Sequence, residues 1–452
     1  MKLTYKKFFF NWLNFLFLAP FLYLNLFPNL EVLILLGSSI NFLGIYYFLK
    51  QDSYQPSPWF SFYVTFFIFY LLGPFLSVIS YQDPLIIFNT QTTFSNVISS
   101  SAVNETFIYL FVFLCCLNFL VFNFSGDMAR SKISALPLLT NISLLLMTVI
   151  LPLMLYFKIS YISSISNYQD IYLARAWTPL NLLSFANSIL FLIFIASKPK
   201  INLMRMILFL QFIVVATDLY LGYRSGLIVF IMLSFWILAY LYGYKVKVFQ
   251  LTLFAIIGIM ILFYVELSRN QLNIELDLIF QFLLSSLSKA AYTTALYIDN
   301  REIVDALSPN SIFYPLYYVI DYIIYGGDVV GQSSTSAELR KDMNHVLSSS
   351  LNYGAYLSGA GTGSALIAEI YQQRPFFILF SIGFFLFYEF IFSQSRHKRL
   401  FLYLSIFTFQ HLIFSPRDTF FPFFWGYIRI IIPFFLVFLI YNLLRNSRKR
   451  YV

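Results

Sequence analysis

Apolar stretches long enough to cross a bilayer, separated by short polar turns, recur along almost the entire chain. A helix rises 1.5 Å per residue, so about 20 mostly apolar residues cover the hydrocarbon core. Runs of this kind predict helices near 8–27, 30–49, 60–80, 104–124, 136–157 and 179–196, then near 203–222, 226–243 and 248–266. Three more near 376–394, 400–415 and 422–443 bring the predicted total to about twelve. The pattern predicts an all-α polytopic membrane protein with nine spans in 1–266, a large loop over 267–375, and three spans with a basic tail in 376–452.

Lys and Arg set the orientation, because short loops rich in them stay in the cytoplasm. With the N-terminus inside, Lys2, Lys6, Lys7, Lys50, Arg130, Lys132, Lys198, Lys200, Arg205, Lys245, Lys247, Arg396, Lys398, Arg399 and the tail from Arg445 to Arg450 share the cytoplasmic side. The segment 81–103, which is then external, has no basic residue. Both termini are therefore predicted in the cytoplasm and the 267–375 loop outside. The run Phe8 to Phe27 has no small-residue cleavage site after it, which predicts a retained helix rather than a signal peptide.

Composition agrees with lipid as the main solvent: 60% of residues are hydrophobic and 11% charged, against roughly 25% charged in soluble domains. The net charge of +9 does not point to nucleic acid, since its cations lie in small groups between apolar runs. Cys115 and Cys116 are adjacent within such a run, a spacing that suits neither a disulfide nor a zinc site. No histidine or carboxylate spacing predicts a metal site.

The 267–375 loop mixes charges, among them Asp299, Arg301, Asp305, Asp321, Arg340 and Asp342, and predicts a small folded cap. Within it, Gly354–Gly363 is rich in Gly and Ser, and Ser364–Gln373 reads as a short helix ended by Arg374-Pro375. A Gly-rich turn feeding a helix offers backbone N–H groups to an anion.

Candidate chemistry lies at the external helix ends. Arg224 stands in Tyr-Arg-Ser-Gly and Arg417 in Ser-Pro-Arg-Asp; Arg175 in the segment 158–178 and Arg429 in the last helix extend the set. Basic residues are disfavoured there, and a guanidinium forks onto phosphate through two charge-assisted hydrogen bonds, so the cluster predicts an anionic ligand such as a lipid pyrophosphate. Asp218, Glu266, Glu369 and Asp418 lie near the same face as partners or bases, with Asp218 and Asp418 close in sequence to Arg224 and Arg417. His345, the one histidine of the cap, is a candidate base with Asp342 three residues before it to fix its tautomer. His345 and Glu369 are the candidate catalytic groups.

About twelve spans, Tyr-Arg-Ser-Gly at a short external turn, a large late loop, the segment Gly361 to Tyr371 and Ser-Pro-Arg-Asp before the last span together resemble the Wzy-type O-antigen and oligosaccharide-repeat-unit polymerases. The resemblance implies a fold of the glycosyltransferase C type in the bacterial inner membrane, with the cap in the periplasm. It implies undecaprenyl-diphosphate-linked oligosaccharides as substrates, joined by metal-independent, inverting glycosyl transfer without a cofactor. Arg224 and Arg417 would stabilise the pyrophosphate. Related ligases carry a histidine followed by Asn, whereas here Asn344 precedes His345. A chain-length regulator and a flippase are the partners implied. An O-antigen ligase acting on lipid A-core and a flippase or transporter are the alternatives; the latter predicts internal repeats and mid-membrane charges, which the sequence does not display.

Overall fold

The computed structural model describes residues 2–18, 20, 22, 29–51, 57–89, 97–125, 131–164, 178–219, 224–245, 288–326, 332–358, 361–418, 420 and 424–450. Among them the secondary structure is helical throughout, with no strand. Five helices are long and apolar enough to cross a membrane: Leu30–Lys50, Pro58–Ile79, Ser100–Phe124, Pro137–Ser163 and Arg374–Ser395. Shorter apolar helices cover Leu180–Ala196, Ile201–Ala216, Gly226–Tyr242 and Gly426–Asn442. The span expected at 248–266 lies outside the described residues, as do parts of the one at 8–27.

The chain packs as two units, each drawn from distant parts of the sequence. The first comprises Met1–Asp127, Asn270–Glu389 and His411–Pro422; the second comprises Met128–Arg269, Phe390–Gln410 and Phe423–Val452.

In the first unit, the Pro58–Ile79 helix positions the site. Ser57 caps it by accepting the Phe60 amide at 3.1 Å, and Pro58 fills the first turn, where its missing N–H costs nothing. Midway, Phe67–Leu71 widens into a π turn. The cause lies just beyond: Pro74 cannot donate to the carbonyl of Tyr70 and its ring crowds that oxygen, and a wider turn accommodates both. The Tyr70 hydroxyl consequently accepts the Ile367 amide at 3.1 Å, in the first turn of the cap helix Leu366–Gln372.

Close approach of the Leu30–Gln51 helix depends on Gly44, where an added Cβ would stand 2.5 Å from the Tyr63 ring. Tyr63 in turn donates to Asn118 Oδ1 at 2.5 Å, and Asn118 Nδ2 donates to the Ile40 carbonyl at 3.0 Å. Tyr63 and Asn118, buried among apolar helices, thus have partners, which offsets their desolvation.

In the second unit the basic turns near residues 131–134, 197–200 and 399 are bonded to one another. Lys198 Nζ donates to the carbonyls of Ser131 and Ile133 at 3.1 and 3.0 Å. Arg399 donates to the carbonyls of Ser134 and Ala196, the latter at the C-terminal end of the Thr178–Ala196 helix. Cations there satisfy orphan carbonyls and oppose the helix dipole.

Candidate active site

The cap helix Met343–Leu351 carries His345 in its first turn, with Asp342 at the N-cap position. The ring is 6% exposed, and its Nδ1 lies 2.7 Å from the Tyr356 hydroxyl. That hydroxyl is 3.0 Å from Ser336 Oγ. Tyr356 is presented by the short helix Tyr353–Leu357, capped by Asn352, whose Oδ1 accepts the Ala355 amide. Burial pushes the His345 pKa down to about 4, against the opposing charge of Asp342, so the ring is neutral near pH 7. The tautomer partner differs from the sequence expectation: Asp342 pairs with Arg340 Nε at 2.8 Å, and a tyrosine eleven residues downstream faces the imidazole instead.

Beside His345, Asn344 reaches the Gly-rich turn. Its Oδ1 accepts the Gly363 amide at 3.0 Å, while Ser348 Oγ accepts that of Thr362 at 3.0 Å. With the Ile367 amide given to Tyr70, these three N–H groups are bonded within the protein. Gly363 has φ +78°, a left-handed backbone that favours glycine, and its Cβ position is 3.9 Å from Arg417 Nε.

Glu369 then ties this turn to the segment bearing Arg417. Its Oε1 accepts from Ser364 Oγ at 3.0 Å and its Oε2 from the Phe420 amide at 2.6 Å. The side chain is fully buried, and desolvation raises its pKa to about 8 against the pull of those two donors. Arg417 ends the Ser415–Arg417 turn, half-buried, with its guanidinium 6.0 Å from the centre of the Phe69 ring. Asn344, Gly363, Glu369 and Arg417 therefore form one connected constellation next to His345.

Arg429 belongs to the second unit. Its guanidinium lies 4.6 Å from the Phe185 ring centre, on the wall of a cavity of about 600 Å³. The same cavity holds Lys158 and Asp218, paired at 2.6 Å, and Asn187 and Gln211, which exchange hydrogen bonds of 3.0 and 2.8 Å. Asp218, expected to partner Arg224, is thus bound to Lys158. Sequence reading passed over that lysine by ending the span at 157, although the helix continues through Ser164. Arg224 opens the Arg224–Tyr242 helix, but its side chain lies outside the described residues, as do Arg175 and Glu266.

A further cluster went unseen in the sequence. Arg301 and Arg374 both approach the Tyr371 hydroxyl, at 3.4 and 3.5 Å, and that hydroxyl donates to Glu105 Oε1 at 2.5 Å. Four residues from three segments meet here, and no local spacing encodes such a meeting.

No curated protein and no solved structure matches the chain. The family model for the O-antigen polysaccharide polymerase Wzy matches residues 8–449, which is nearly the whole length. With that match over nearly its whole length, this helical, multi-pass membrane chain belongs to the O-antigen polysaccharide polymerase Wzy family.

Proposed function

We propose that the cap site of this polymerase transfers the growing glycan from undecaprenyl diphosphate to a hydroxyl of a second lipid-linked repeat unit, at the periplasmic face of the bacterial inner membrane. The bond from the anomeric carbon to the diphosphate oxygen breaks, and a bond from that carbon to the acceptor oxygen forms with inversion. The acceptor proton passes to a base, and undecaprenyl diphosphate leaves. Both chain termini are cytoplasmic in this arrangement, and a chain-length regulator and a flippase act alongside.

The reading is carried by the approach of Arg417 to Gly363, where an added Cβ would stand 3.9 Å from Nε, and by the bond from the Gly363 amide to Asn344, the helix neighbour of His345. Arg417 stabilises the negative charge that develops on the leaving diphosphate, a role that fixed cations perform without a metal. His345 is neutral and so able to accept a proton. In the tautomer whose Nδ1–H donates to the Tyr356 hydroxyl, Nε2 is the basic atom. Glu369, buried and doubly bonded, serves as the positioning residue that holds the Arg417 segment. Arg429, Arg224 and Arg175 contact phosphate groups of the lipid-linked substrates.

The test is a chain-length ladder from cells that carry Arg417→Ala at normal protein level. Loss of all chains longer than one repeat unit on the lipid A-core supports the site, and a normal ladder removes it. A deletion strain checks the reaction: single repeat units on core mark a missing polymerase, whereas bare core with lipid-linked polymer marks a missing ligase. Unchanged chain extension by purified protein in EDTA supports metal independence.

A further inference from the structure

Away from the cap site, the first unit draws two guanidinium groups to one hydroxyl. Arg301 and Arg374 lie 3.4 and 3.5 Å from Tyr371 Oη, and Arg374 also lies over the Tyr371 ring at 5.2 Å. Glu105 is the one carboxylate bonded to that hydroxyl. Glu105 offsets part of this paired positive charge, and Arg374 is exposed to meet a further anion.

Two recesses continue from these cations. One, of about 350 Å³, is polar and is lined by Ser99, Ser101, Glu105, Asp299, Arg301 and Glu302. The other, of about 530 Å³, starts at Arg374 and passes Tyr109, Val112, Phe377 and Ile382. It follows the Ser100–Phe124 and Arg374–Ser395 helices, both apolar and long enough to cross a bilayer.

Hydroxyls and carboxylates, then paired guanidiniums, then an apolar furrow: this is the chemical order of a sugar, a diphosphate and a prenyl chain. We propose that the strip from Asp299 through Arg301 and Arg374 to Val112 binds a polyprenyl-diphosphate-linked sugar taken from the bilayer, at a place separate from Arg417 and His345. The inference rests on the function proposed above, and adds a second docking position for its lipid-linked substrate. Carboxylates accept hydrogen bonds from sugar hydroxyls, and the two forks match a diphosphate. The furrow gives the prenyl chain an apolar wall. An ordinary phospholipid would satisfy the cations and the furrow but bring no sugar to Asp299 and Glu302.

Full-length protein in phosphatidylcholine nanodiscs, carrying Arg417→Ala so that the cap site contributes little, is titrated with undecaprenyl-diphosphate-N-acetylglucosamine. Arg301→Gln with Arg374→Gln should weaken binding by about tenfold or more, as loss of two charge-assisted contacts implies. Val112→Trp, which fills the furrow and leaves every charge in place, should weaken it as well. Retained affinity in both variants overturns the proposal. Competition by phosphatidylglycerol as effective as by the sugar lipid also overturns it, because the strip would then be a general anionic-lipid contact. A normal glycan ladder from the Arg417→Ala strain would instead refute the cap-site mechanism while leaving this binding result intact.

Discussion

Glu369 and Phe420 are 51 residues apart, and the carboxylate of the first accepts the backbone amide of the second at 2.6 Å. Arg417 lies three residues before that amide, so Glu369 ties its segment to the Leu366–Gln372 helix. Glu369→Ala should leave the amide without a partner, at a cost of about 1–3 kcal/mol, and should lose chain extension. Glu369→Gln keeps an acceptor and should retain most activity. Equal loss in both variants would point to a proton-transfer role for the carboxylate instead.

The pH dependence of stability separates the two buried titratable groups. The Glu369 carboxyl, raised from 4.5 to about 8, binds its proton more tightly when folded, so its contribution to stability declines as pH rises from about 4.5 to about 8. His345, lowered from 6.5 to about 4, favours the folded chain increasingly between about pH 4 and 6.5. Between pH 6.5 and 8 only Glu369 of the pair still changes. Melting curves of wild type and Glu369→Gln should diverge over that interval, and parallel curves would count against a raised pKa.

His345→Ala should reduce the rate of chain extension by about 10²–10⁴, the range for a lost general base. Tyr356→Phe keeps the aromatic ring and removes the partner of Nδ1, and its smaller loss should come with a shifted pH–rate profile. An unshifted profile would leave Tyr356 as packing only.

Gly363→Ala should cost about 1–2 kcal/mol from its left-handed backbone, since the 3.9 Å approach to Arg417 is ordinary contact rather than a clash. Gly44→Ala acts differently, by driving a methyl to 2.5 Å from the Tyr63 ring, and should lower the amount of folded protein. Expression levels and thermal unfolding of the two variants distinguish strain in a turn from separation of two spans.

Lys158→Met should destabilise by about 1–3 kcal/mol by leaving the half-buried Asp218 without its cation. The double variant Lys158→Met with Asp218→Leu should recover part of that loss. Additive losses would show that the two side chains do not act as a pair.

Helix positions were readable in the sequence wherever an apolar run was continuous, as at 30–49, 60–80 and 104–124, because lipid demands that pattern of the chain itself. Partners were not. Asp218 is six residues from Arg224 yet bonds Lys158, sixty residues away, and His345 faces Tyr356 rather than Asp342. Such pairings depend on how helices pack, which the period of one helix does not specify. The closeness of Glu369 to the Arg417 segment was hidden for the same reason, although the sequence had singled out one as a candidate base and the other as a candidate anion ligand.

The π turn at Phe67–Leu71 holds one residue more than an α turn would. Deleting that one residue would return the helix to α geometry with both flanks in register, whereas a deletion elsewhere in the helix would turn one flank by about 100°. Relatives that lack this extra residue need a gap at that point when their sequences are laid beside this one. A gapless comparison would assign the wrong flank of the helix to the cap, and would attribute to divergence what is only a slipped register.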